Sequence, residues 1–121
     1  MVQPVIPAID LTDSKQTNAL LATVVERLVQ MLHPDRIYLF GSLANQAETI
    51  HDIDLLVVVP ETSLARHYLE TLAYDALWGL AIPVDVIVLP QDKFLQERRV
   101  KTTISHEAVE KGRLLYGRSE G

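Results

Sequence analysis

Two aspartates one residue apart, Asp52 and Asp54, lead into the apolar run Leu55 to Val59, and a third, Asp85, sits inside a second apolar run, Val84 to Leu89. In an extended strand, residues two apart point to the same side with Cα atoms roughly 6–7 Å apart, so Asp52 and Asp54 face one way together. Carboxylates that close repel each other unless a cation lies between them. A lone acid in a strand is ordinarily a satisfied polar group, because burying it unpaired is costly. Three acids on strands that plausibly neighbour each other instead suggest an open, oxygen-rich site suited to Mg²⁺, which takes few protein ligands and keeps waters or phosphate oxygens. Two such ions, roughly 3.5–4 Å apart, can clamp both the attacking and the leaving oxygen of a phosphoryl displacement.

The turn Gly41-Ser42, directly after the apolar stretch Ile37 to Phe40, fits the same chemistry. Glycine lets the backbone approach a phosphate closely, and the start of a helix offers free N–H groups to an anion. The Ser42 hydroxyl can donate to a terminal phosphate oxygen. Alone, a Gly-Ser pair after a strand is a common turn; the Asp52-Ile53-Asp54 triplet downstream gives it meaning.

The elements that must position these groups can be read from periodicity. Residues 1–12, with Pro4 and Pro7, read as a loose N-terminal arm. Leu21, Val24, Val25, Leu28 and Leu32 recur at helical spacing between Ser14 and His33, capped by Asp13 or Ser14 and ended by Pro34. Strands are expected at 36–40, 53–59 and 84–89, the second apolar on both faces and therefore central in a covered sheet. Residues 42–47 are expected to form a helical turn. A helix opened by Thr62 or Ser63 buries Leu69, Leu72, Ala73, Ala76 and Leu77. Short helices follow at 91–98 and 100–111, the latter closed by Gly112, and 113–116 is a last short strand. This alternation predicts an α/β sandwich on a small sheet, in one domain spanning residues 1–121.

Composition narrows the function. With a hydrophobic fraction of 48% and a net charge of −5, the chain is a folded protein with no broad basic field for a nucleic-acid backbone. A polyanion bound here needs metal ions for positive charge. The absence of cysteine excludes disulfides and thiolate metal sites. No run is long enough to span a membrane and the N-terminus lacks a signal layout, so the expected location is the cytoplasm.

The pattern Gly41-Ser42, nine residues, Asp52-x-Asp54, with Asp85 on a later strand, resembles the signature of polymerase-beta-like nucleotidyltransferases. It is most similar to their minimal members, the MNT proteins encoded beside HEPN proteins as antitoxins; the closing Lys111-Gly112-Arg113-Leu114-Leu115-Tyr116-Gly117 has a form that recurs in that group. The resemblance implies a small mixed sheet flanked by helices. It implies that Asp52, Asp54 and Asp85 bind two Mg²⁺ ions, that Asp85 is also the general base, and that Gly41 and Ser42 hold the triphosphate of ATP. The reaction it implies is transfer of AMP to a hydroxyl, a tyrosine of a cognate HEPN toxin, with the chain acting as antitoxin and binding neither nucleic acid nor membrane. The family's turn after the serine is usually basic, and ten residues commonly separate that serine from the first aspartate. Here the turn reads Leu43-Ala44-Asn45-Gln46 and the separation is nine. Losing a cation that stabilises developing charge slows chemistry, which leaves a second reading: neutralisation of the toxin by binding alone. Transfer to a small molecule would need an added helical domain. A HEPN-type ribonuclease built on Arg99 and His106 lacks the expected tyrosine, since Ala108 stands there.

Overall fold

The computed structural model describes residues 14–41, 53–80 and 83–117. Helix α1 (Ser14–Leu32) leads into strand β1 (Arg36–Phe40); β2 (Ile53–Val59), helix α2 (Arg66–Ala76), β3 (Val84–Pro90), α3 (Gln91–Glu97), α4 (Ile104–Lys111) and β4 (Arg113–Tyr116) follow. The strands form one mixed sheet in the order β3-β2-β1-β4. β1 runs antiparallel to both β2 and β4, while β2 and β3 are parallel, joined by the α2 crossover. The expected α/β architecture with a small mixed sheet is what the chain adopts, and β2 is central as its two-faced apolarity required.

Strand alternation sorts the core into two faces. Ile37, Leu39, Ile53, Leu55, Val57, Val59, Val84, Val86 and Val88 pack against α1 and α2 through Leu21, Val24, Leu28, Leu69, Ala73 and Leu77. Tyr38, Phe40, Leu56, Val58 and Leu89 pack on the opposite face against Phe94 of α3 and Ala108 of α4. At the start of β1, on that second face, Arg36 is buried; its guanidinium donates to the Tyr38 hydroxyl at 3.3 Å and lies 5.7 Å from the centre of the Phe94 ring. Helix α1 ends where His33 takes a left-handed conformation (φ 47°) and Pro34 bars a further turn.

Two helix starts lie further along than the sequence suggests. Thr62 does not cap α2; its hydroxyl accepts from the Leu64 N–H in a local turn, and the helix begins at Arg66 without a side-chain cap. The second short helix starts at Ile104, not Val100, because Thr103 takes the cap: its Oγ1 accepts from the His106 N–H at 3.1 Å while donating to the Glu97 carbonyl at 2.6 Å. Tyr68 on α2 and Trp78 just after it are exposed at 52% and 57%. The loose arm and the helical turn at 42–47 lie outside the described residues. Among the described residues, no helix is long and apolar enough to cross a membrane.

The edge strand β3 is blunted by α2. The Val86 N–H donates to the Tyr74 hydroxyl at 3.3 Å and the Val88 N–H to Glu70 Oε2 at 3.2 Å, while Arg66 Nε holds the same Glu70 oxygen at 3.0 Å. Two ladder donors that would otherwise template another strand are thereby occupied. Replacing Glu70→Ala removes the acceptor for Val88. The exposed Arg66 pair adds little to stability, so the expected loss is about 1 kcal/mol. It should appear as a lowered Tm together with faster amide exchange at Val88 than at Leu89.

Candidate active site

The parallel ladder between β2 and β3 sets Asp54 directly opposite Asp85. Opposed residues on neighbouring strands share a face and stand roughly 4.8 Å apart along the hydrogen-bonding direction. The face is fixed by alternation: Asp54 is in phase with Leu56 and Val58, Asp85 with Leu89, all of which pack toward α3 and α4. Two of the three predicted acids are therefore brought together by hydrogen bonding and core packing elsewhere on the same strands. Asp52 and Ser42 lie outside the described residues. Among the described residues no group of three metal-ligating side chains assembles, and Asp54 with Asp85 is the described part of the predicted set.

Of the described acids, Asp85 is exposed and Asp54 is half-buried. Carboxylates opposed at this spacing would favour a cation between them. An open carboxylate pair is also the better match for Mg²⁺, which gives up its water reluctantly and needs room for non-protein oxygens. The residues present therefore fit the metal implied for this position.

Gly41 joins the same corner from β1. Phe40 pairs with Asp54 across the antiparallel ladder, so the next residue turns over the Asp54 side chain. Gly41 has φ 78°, a conformation favouring glycine, and a Cβ built on it would collide with Asp54 Oδ2 and lie 3.2 Å from Asp54 Cγ. The sequence assigned Gly41 only to phosphate approach. The structure adds a steric role, room for the Asp54 carboxylate, that no local pattern signals because it depends on pairing across the β1–β2 connection. His106, weighed above as a ribonuclease residue, has its Nδ1 2.9 Å from the Arg98 carbonyl oxygen. Substituting Gly41→Ala combines backbone strain with the carboxylate clash and should lower stability by about 1–3 kcal/mol. Thermal unfolding reads the loss, and the NMR shift of the Asp54 side-chain carboxyl carbon reads its displacement.

A family model described as polymerase beta, nucleotidyltransferase, matches residues 22–121. None of the curated proteins compared matches the chain. Among solved structures, a candidate nucleotidyltransferase from Sulfolobus solfataricus is similar over 96% of this chain and 96% of its own, at 22% identity and a TM-score of 0.59. A toxin–antitoxin structure containing AMP-PNP is similar over 82% of this chain and 74% of its own, at 24% identity and a TM-score of 0.50. A mutant MntA–HpeT toxin–antitoxin structure has the same coverage, at 22% identity and a TM-score of 0.51. At these identities the likenesses establish a shared fold. The family match takes in every strand of the sheet and all three predicted acids, and the chain belongs to the polymerase-beta nucleotidyltransferase family.

Proposed function

We propose that the chain is a metal-dependent nucleotidyltransferase that moves AMP from ATP onto a tyrosine hydroxyl of a HEPN toxin, acting as its cytoplasmic antitoxin. The observation that carries this reading is the register pairing of Asp54 with Asp85 beside Gly41. Asp52, two residues before Asp54, is assigned to the same set by its spacing. In this reading Asp52, Asp54 and Asp85 hold Mg²⁺, which neutralises triphosphate charge and favours departure of pyrophosphate. That supply of charge is needed here, since the chain carries a net −5 and its 43–46 turn has no cation.

The chain's own groups divide the remaining work. Gly41 leaves backbone room for the phosphates, and Ser42 donates its hydroxyl to a terminal phosphate oxygen. Asp85, the more exposed of the two described acids, faces the incoming acceptor. It takes the proton as the tyrosine oxygen bonds to the α-phosphorus and the bond from that phosphorus to pyrophosphate breaks. A toxin–antitoxin structure of the same fold contains AMP-PNP, which supports both the nucleotide and the kind of partner. The non-basic turn favours a second reading, in which the chain neutralises its toxin by contact alone.

Incubation with labelled ATP, Mg²⁺ and the cognate toxin should label the toxin. Asp85→Asn and Asp54→Asn should each reduce transfer by at least about a hundred-fold while leaving far-UV circular dichroism unchanged. An unlabelled toxin in the presence of folded enzyme would refute the transferase reading. The double substitution Asp52→Asn with Asp54→Asn separates the two readings: neutralisation is lost if chemistry is required and kept if contact suffices.

A further inference from the structure

Strand β4 is held against β1 by close backbone approaches at its two ends, each made at a glycine. At one end Gly112, between α4 and β4, packs its Cα on the carbonyl oxygens of Ala108 and Leu39; a Cβ there would collide with both and lie 3.1 Å from the Ala108 carbonyl carbon. At the other end Gly117 packs on the Asp35 carbonyl oxygen, and a Cβ would lie 3.0 Å from Arg36 Cγ. Gly112 has φ −85° and ψ −171°, which any residue adopts, so only the close approach requires glycine there. Gly117 has φ 102°, so alanine there meets strain as well as contact.

The two ends differ in what lies next to them. Leu39 is two residues before Gly41, and Gly41 is in contact with the Asp54 carboxylate. Arg113, beside Gly112, is in register with Leu39. Asp35 and Arg36 lie at the opposite end of β1, away from both acids. We infer that Gly112 is a positioning residue: by seating the α4–β4 turn on Leu39 it fixes the end of β1, and through Gly41 the carboxylate of Asp54. Its α4 side cannot yield easily, because Ala108 is fully buried and its carbonyl already accepts the Gly112 N–H at 3.1 Å. On the β1 side the described ladder continues past Leu39 with the Phe40 to Asp54 pairing alone, so a displacement of Leu39 passes to Gly41 and Asp54. The functional consequence rests on the nucleotide-binding reading above; the geometric one does not.

The test compares Gly112→Ala with Gly117→Ala, which perturb the same strand pair at opposite ends. Both should lower Tm. Only Gly112→Ala should shift the Gly41 amide and the Asp54 carboxyl carbon in NMR spectra, and only it should weaken Mg²⁺·AMP-PNP binding in calorimetry, by roughly ten-fold or more. Should either variant be poorly folded, trimethylamine oxide, which favours burial, brings both to the same folded fraction before comparison. A merely structural role predicts equal behaviour. Unchanged Gly41 and Asp54 signals in Gly112→Ala, or equal changes in Gly117→Ala, would overturn the inference. If the wild-type chain fails to bind Mg²⁺·AMP-PNP, the nucleotide reading falls, and the NMR comparison still decides the role of Gly112.

Discussion

Neighbouring carboxylates repel, and the parallel ladder between β2 and β3 holds Asp54 opposite Asp85 against that repulsion. The force opposing it is not local. Leu55, Leu56, Val57 and Val58 are fully buried on the two faces of β2, with Val86 and Val88 buried beside them on β3. A one-residue slip of either strand would send every one of these side chains to the wrong face. Both faces of β2 are covered, so a slip costs packing fit on each face rather than exposure, and the acids at the strand ends follow the register that fit selects.

The same logic explains why the corner contains a glycine. Antiparallel pairing places Phe40 opposite Asp54, and the chain must then leave the sheet across the top of that side chain. A left-handed conformation without a Cβ leaves space for the carboxylate. Phosphate approach and carboxylate clearance thus draw on one property of one residue, which ties the position of Gly41 to the acid pair more closely than either requirement alone.

Much of this was legible in the sequence, and the parts that were not share a cause. The central place of β2 follows from its two-faced apolarity, and the helix over 14–33 from its spacing, because both are local patterns. Asp54 and Asp85 could be named as partners only on the assumption that their strands are adjacent; the register that makes them direct neighbours depends on summed burial along both strands. The caps failed where side chains had alternatives. Thr62 found a nearer donor, and Thr103 combined an acceptor role to His106 with donation to Glu97. An apolar strand predicts covered faces along its length but says nothing about where the covering helices stop, so the degree of exposure of Asp85 was not legible.

Chain-length arithmetic sets that limit. β3 runs from Val84 to Pro90, and α3 begins at Gln91 with no connecting residue. Helix α3 must therefore start over the end of β3 that is remote from Asp85, five strand residues or roughly 17 Å away. Seven residues of α3 extend only roughly 10 Å, and Phe94, midway along it, is stacked on Tyr38 with ring centres 5.7 Å apart. The helix packs on β3 and β2, and from that far end its length does not carry it to Asp85. An α3 longer by two turns, or a linker after Pro90, could close the face and bury the acids. The short helix and absent linker keep α3 off Asp85, which is exposed, while the remote end of the same face is filled by Phe94, Tyr38 and Arg36.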